Sequence, residues 1–302
     1  MGVEMDKKIR AQDIADFLKK DLNGDDCVIE GVCSLDIIKP QCLMFAEHST
    51  PEVWAKISNL EKTMVICRED MGAGINGPRI LSENPRLSFI IAVREFFLPA
   101  KEVEMHTTCV ISPEATIGKN VSVGAFTVID KGVSIDDNTV ILNNVVISGR
   151  VVIGKNCFFK SNSVIGEDGF GFNIIEDGIP YAVPHFGGII IGDNVWFGAN
   201  STIERGIFDD TVIENEVKVD DLVQIGHNAR ICKGSRIAAG AIICGAAKIE
   251  EESWIAPNSN ILERKVIGKG SLVGLGSNIL TDVPDNSVYV GNPGRKIRDN
   301  RI

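Results

Sequence analysis

From Ile111 onward, apolar residues recur every sixth position. Ile111, Ile117, Val123, Ile129, Ile135, Ile141, Ile147, Ile153, Phe159 and Ile165 form one unbroken series. It resumes at Ile191, Phe197 and Ile203, then runs from Ile213 through Val219, Ile225, Ile231, Ile237, Ile243, Ile249, Ile255, Ile261, Ile267 and Val273 to Ile279. Neither the 3.6-residue period of a helix nor the two-residue period of a strand produces this spacing. A six-residue repeat predicts a parallel β-helix, because no single repeat can bury its own apolar face and each must stack on the next. The beat residue points inward, and the small or acidic follower in "IGKN", "VGAF", "IGDN" and "IGKG" is expected to let the chain turn.

Upstream the pattern changes. "IRAQDIADFLKKDL" places Ile9, Ile14, Phe17, Leu18 and Leu22 on a helical stripe, and "NPRLSFIIAVREFF" predicts a second helix opened by proline. "CVIEGVCSL" and "TMVICRED" read as strands, and "FLPAKEVEMHTT" as a linker. The expected fold is therefore mainly β. A small α/β domain (residues 1–105) precedes a β-helix (106–285), and a short tail (286–302) follows. The helix is broken by an excursion over 166–190 and by a shorter insertion, "RGIFDD", after Ile203. Long loops leaving a regular solenoid are commonly functional. "GFGF" inside the excursion is not a phosphate cradle, since no G-x-G-x-x-G is present and no helix follows.

Composition narrows the function classes. The 302 residues carry a net charge of −10, which argues against a nucleic-acid partner. No apolar run approaches the roughly 18–20 residues of a membrane span, and "MGVEMDKKIRAQD" lacks a signal-peptide core; a cytoplasmic protein is expected. The eight cysteines are scattered without C-x-x-C spacing, as in reduced structural thiols, and no metal site is predicted.

The hexad pattern resembles the hexapeptide-repeat acyltransferases, whose helix is left-handed and triangular with three hexads per coil. That resemblance makes residues eighteen apart stack about 4.8 Å from one another. Of the four histidines (His48, His106, His185, His227), His227 sits two places after the Ile225 beat, facing outward. Gly245 then falls one coil above it, and Asp220 lies on the preceding side of its own coil. An imidazole, a carboxylate and an open backbone N–H together can supply a base, its orienter and an oxyanion donor. Spacing alone favours a solvated surface histidine on a turn.

The run from Ile189 to Ile231, together with "IEGVCSL" and "GEDGFGF", resembles the UDP-3-O-acylglucosamine N-acyltransferases of lipid A synthesis over nearly the full chain. The resemblance implies His227 as general base, Asp220 as its carboxylate partner and Gly245 as oxyanion donor. It implies substrate contacts at Asp168, Phe170, Phe172 and His185 of the excursion. It also implies no bound cofactor, a homotrimer, a nucleotide-linked amino sugar as acceptor, and a phosphopantetheine-linked acyl donor on acyl carrier protein or coenzyme A.

Three features depart from that family. Where it has a second histidine, "SNILERK" offers Arg264, which can hold a phosphate or carbonyl but does not exchange protons. Its uracil-stacking aromatics correspond here to Phe45 and, less directly, Trp54. Its helical C-terminal extension is replaced by "VPDNSVYVGNPGRKIRDNRI", which resembles the tail of short-chain, coenzyme A-dependent sugar acetyltransferases. Arg295, Lys296 and Arg298 there are candidate phosphate contacts. Competing classes are an amino-sugar acetyltransferase outside lipid A synthesis, an inactive sugar-binding paralogue, and a β-helical carbonic anhydrase. The last needs three zinc-binding histidines at close spacing, which this chain lacks.

Overall fold

The computed structural model describes residues 3–48, 50–58, 60, 62–98, 103–174 and 177–300. Part of the expected linker (99–102), positions 175–176 of the excursion and the last two residues of the tail lie outside them. The chain divides into two compact units, Met1–Lys101 and Glu102–Ile302.

The first unit is a three-layer α/β domain. Its strands are β1 (Val3–Arg10), β2 (Leu22–Asn23), β3 (Val28–Val32), β4 (Cys42–Ala46), β5 (Met64–Cys67) and β6 (Arg79–Leu81), in the spatial order β1-β3-β4-β5-β6-β2. Helices α1 (Ala11–Leu18), α2 (Pro51–Ile57), α3 (Glu69–Gly72) and α4 (Pro85–Phe96) cover the sheet. The first helix is shorter than its apolar stripe. Ile9 belongs to β1, the Arg10 N–H is capped by Asp13, and Lys19 closes the helix in the left-handed region (φ 54°), so Leu22 falls on a strand. Side chains alternate across the sheet. Leu43, Phe45, Met64 and Ile66 pack into one cluster with Ile14, Phe89 and Ala92, while Met44, Ala46, Val65 and Cys67 join Trp54, Ile57 and Met71 on the other side.

The second unit is a left-handed parallel β-helix of three faces. The first face stacks the strands of Ile129, Ile147, Ile165, Ile203, Ile225, Ile243, Ile261 and Ile279 in register. The second stacks those of Ile135, Ile153, Ile191, Ile213, Ile231, Ile249 and Ile267. The third includes Ile141, Phe159, Phe197, Val219, Ile237, Ile255 and Val273. Ile165 pairs directly with Ile203, so the excursion is looped out and the register survives it. All these beats are buried in one continuous core.

The corners show how a coil turns, and they correct one expectation. The residue three after most beats, rather than the immediate follower, takes the left-handed conformation: Asn120, Asn138, Asn144, Asn156, Asn162, Asn194, Asn200, Asn228 and Asn258 all have φ near 60°. Asparagine tolerates that region better than other side chains, which explains its recurrence. The follower is small for a different reason. A Cβ on Gly226 would lie 2.7 Å from the Gly245 nitrogen, so the next coil leaves no room for one. Buried hydroxyls at the corners are satisfied by carbonyls of the neighbouring coil, as in Ser235 to Glu250 (2.8 Å) and Ser259 to Gly274 (2.9 Å). Cys157 donates to the Gly192 carbonyl (3.1 Å) in the same way.

The tail adds a hairpin, Ser287–Val290 with Arg295–Asp299, to the third face. Arg295, Lys296 and Arg298 are exposed on it, with Lys296 paired to Asp299 (2.7 Å).

Candidate active site

The corner between the first and second faces collects the chemistry. Strand Gln224–Ile225 ends there and the chain turns through Gly226, His227 and Asn228. The His227 N–H donates to Glu204 Oε2 (3.1 Å), and Glu204 Oε1 accepts from the Gln224 amide (3.0 Å). A carboxylate from the preceding coil is thus anchored beside the imidazole.

Asn228 determines which ring nitrogen is basic. Its Nδ2 donates to the Asp209 carbonyl (2.9 Å) and its Oδ1 accepts the Ile207 N–H (3.1 Å), so the amide has one orientation. That oxygen lies 3.1 Å from His227 Nδ1. An amide oxygen only accepts, so the ring proton sits on Nδ1 and the lone pair on Nε2.

Above the ring lies Gly245. A Cβ built on it would fall 2.7 Å from both Cε1 and Nε2 of His227, so only glycine leaves the basic nitrogen uncovered. On other corners an acidic side chain of the next coil occupies this place and caps the amide beneath it. Asp137 caps Lys119, Asp193 caps Lys155 and Asp285 caps Lys269. Glycine at 245 removes that cap, and the His227 amide turns to Glu204 instead. The Gly245 N–H itself has no hydrogen-bond acceptor among the described residues. A ring nitrogen with a free lone pair and an amide that no acceptor caps therefore lie close together, two groups that acyl transfer to an amine requires.

The excursion folds back over this corner. Phe172–Ile174 pairs with Pro180–Ala182, exposing Phe170 (88%) and Phe172 (50%), whose rings lie 5.0 Å apart. Asp168 forms an ion pair with Arg205. The return leg is latched to the second insertion. The Phe186 N–H donates to the Ile207 carbonyl (2.7 Å), the Gly188 N–H donates to Asp210 (2.8 Å), and Phe186 stacks on Phe208. Asp210 also pairs with Arg150, whose hydrogen bonds hold its carboxyl below the usual range against the opposing effect of burial.

Several expected contacts are not assembled. Asp220 is exposed at the corner between the third and first faces, one whole face away from His227 in the same chain, and Asn228 holds Nδ1 in its place. Asp220 instead lines an open groove of about 360 Å³ with Trp196, Arg236 and Trp254, where Arg236 lies 4.6 Å over the Trp254 ring. Phe45 and Trp54 pack on opposite sides of the N-terminal sheet, so they do not sandwich one base. The His185 side chain has no exposed surface, so it is not placed to touch a substrate. Arg264 is exposed one coil beyond Gly245, donating its N–H to the Gly245 carbonyl (3.0 Å).

Cys244 lacks the depressed pKa of an activated thiol. Burial, then the carboxylates of Glu263 and Glu204, raise its thiol above the ordinary value and disfavour the thiolate. Cys67, Cys157 and Cys232 are pushed up to about 11, chiefly by burial. Among the described residues no cluster of three or more His, Cys, Asp or Glu side chains could hold a metal, and no helix is long and apolar enough to cross a membrane. Asn228 and Glu204 escaped the sequence reading. Asn228 hides among the many corner asparagines, and Glu204 reaches His227 only across the second insertion.

The repeats match two family models, bacterial transferase hexapeptide (residues 132–167 and 210–245) and hexapeptide repeat of succinyl-transferase (114–148 and 188–220). The chain is 37% identical to the UDP-3-O-acylglucosamine N-acyltransferase of Albidiferax ferrireducens over 85% of its own length and 79% of that protein's. It belongs to the UDP-3-O-acylglucosamine N-acyltransferase family. UDP-3-O-acylglucosamine N-acyltransferase 2 of Legionella pneumophila (strain Paris) is 41% identical over 44% of this chain, and the match spans 38% of that relative's length. Among solved structures, the UDP-N-acetylglucosamine acyltransferase of Bacteroides fragilis superposes with a TM-score of 0.60. It is 24% identical, and the match covers 65% of this chain and 74% of that one, a likeness of fold.

Proposed function

We propose that the chain transfers an acyl group from a phosphopantetheine thioester to the amine of a UDP-3-O-acylglucosamine-like nucleotide sugar, in lipid A or surface-polysaccharide synthesis. The observation that carries this reading is the His227 imidazole, lone pair on Nε2, beneath the uncapped Gly245 amide. The sugar amine attacks the thioester carbonyl while Nε2 takes its proton. The Gly245 N–H donates to the oxygen as it becomes negative. The imidazolium is stabilised by Glu204, its Nδ1–H held by Asn228. Collapse of the tetrahedral intermediate breaks the C–S bond, and the departing thiolate takes the proton from Nε2.

The family match supports a homotrimer with its sites between subunits. In such an assembly Asp220 can serve a His227 only across a subunit boundary, because one face separates them within a chain. The exposed Phe170 and Phe172 suit the apolar acyl chain, Arg264 a phosphate or carbonyl, and Phe45 alone one face of a base. Eight cysteines that form no disulfide fit the reducing cytoplasm. The exposed Arg295 and Arg298 of the tail favour a second donor, acyl-coenzyme A.

The test is turnover of UDP-3-O-acylglucosamine with hydroxyacyl carrier protein and acyl-coenzyme A as parallel donors. N-acylated product is expected from at least one of them. Carrier-protein dependence with long chains assigns lipid A synthesis, coenzyme A dependence with short chains assigns an acetyltransferase, and no transfer from either donor ends the proposal.

A further inference from the structure

His185 is an enclosed imidazole that no step above employs. Its Nδ1 lies 2.8 Å from the Val183 carbonyl, which only accepts, so that nitrogen carries the proton. Its Nε2 therefore accepts, and the Gly169 N–H donates to it at 3.3 Å. Gly169 is thereby held where no side chain fits. A Cβ on it would lie 2.6 Å from Glu204 Oε2, 2.9 Å from His227 Cδ2 and 3.2 Å from His185 Nε2. The two imidazoles meet edge to face, with centroids 5.6 Å apart. Asp168, one residue before Gly169, is tied to Arg205.

Each neighbour of the His227 ring thus limits a different movement. Asn228 holds Nδ1, Gly245 lies against the Cε1–Nε2 edge, and Gly169 blocks the Cδ2 edge. Of the three, Gly169 belongs to a looped-out excursion, and a neutral acceptor at position 185 hydrogen-bonds its amide. We infer that His185 is a positioning residue for His227: as a neutral acceptor it clamps the Gly169 backbone against the catalytic ring and keeps Nε2 beside Gly245. This rests on the reading of His227 as the base.

The experiment uses the full chain carrying His185→Leu, His185→Gln or Gly169→Ala. Glutamine keeps an acceptor for Gly169 and a donor for Val183, whereas leucine fills the volume with neither. His185→Leu is expected to lower kcat about 10- to 100-fold, the usual effect of losing an orienting partner. KM for the nucleotide sugar should stay within about threefold, and His185→Gln should recover most of kcat. A second readout needs no substrate. The rate of His227 carbethoxylation by diethyl pyrocarbonate, followed by mass spectrometry, should rise several-fold in His185→Leu and stay at the wild-type rate in His185→Gln. Wild-type kcat and wild-type labelling in His185→Leu overturn the inference, as does a His185→Gln variant as impaired as leucine. If leucine prevents folding, full activity in Gly169→Ala overturns it instead. A wild-type chain that transfers no acyl group refutes the proposed function, while the labelling rates still decide the clamp.

Discussion

At the scale of single residues, the His227 corner owes its form to a side chain that is missing from Gly245. Several corners place an acidic or amide side chain over the coil below, as Asp137, Asn143, Asp193 and Asp221 do, and position 245 places a hydrogen atom there. Gly245→Ala should displace the imidazole and lower kcat on the order of 10- to 100-fold. The core is untouched, so thermal denaturation should leave Tm within a few degrees of wild type. His227→Ala should remove the base and lower kcat by about 10²–10⁴-fold with the fold retained, measured by steady-state turnover beside circular dichroism. Near-normal turnover in that variant rules the base out. His227 and Gly245 were legible from the hexad count because stacking is periodic. Asn228 was not, since its corner role is filled by asparagine all along the helix and its contact with Nδ1 depends on an amide orientation set by Asp209 and Ile207.

At the scale of elements, the excursion and the second insertion act as one unit through backbone hydrogen bonds, the Phe186–Phe208 stack and the Arg150–Asp210 pair. Because Arg150 depresses the Asp210 pKa, the stabilisation is fully present above the ordinary carboxylate value of about 4. It is lost as pH falls through the lower, folded value. At neutral pH, Arg150→Gln should leave Asp210 charged but unpaired. Hydrogen-exchange protection of the Phe186, Gly187 and Gly188 amides should then fall, while the amides of the β-helix core keep theirs. The sequence located both interruptions but not their docking, because two irregular segments carry no period from which a register could be counted. The N-terminal sheet shows a related limit. Phe45 and Trp54 lie close in sequence, yet strand alternation sends them to opposite faces.

At the scale of the molecule, the solenoid's stability resides in its stacked apolar core. Ile243 is fully buried on the first face, one coil above Ile225. Ile243→Ala should cost about 2–5 kcal/mol in urea denaturation, because a rigid stack closes poorly around a cavity. The proposed homotrimer predicts a sedimentation mass about three times the 32.7 kDa chain; a monomer that retains full turnover would remove any role for Asp220 across a boundary.

The sequence by itself determined the β-helix, its inward residues and the stacking of Gly245 on His227. A strict period converts residue number directly into height and face. Only the tertiary structure decided which nitrogen of His227 is basic, which carboxylate lies beside it, and that Asp220 does not. Those outcomes depend on aperiodic insertions and on which side of a corner a side chain leaves, and neither follows from counting in sixes.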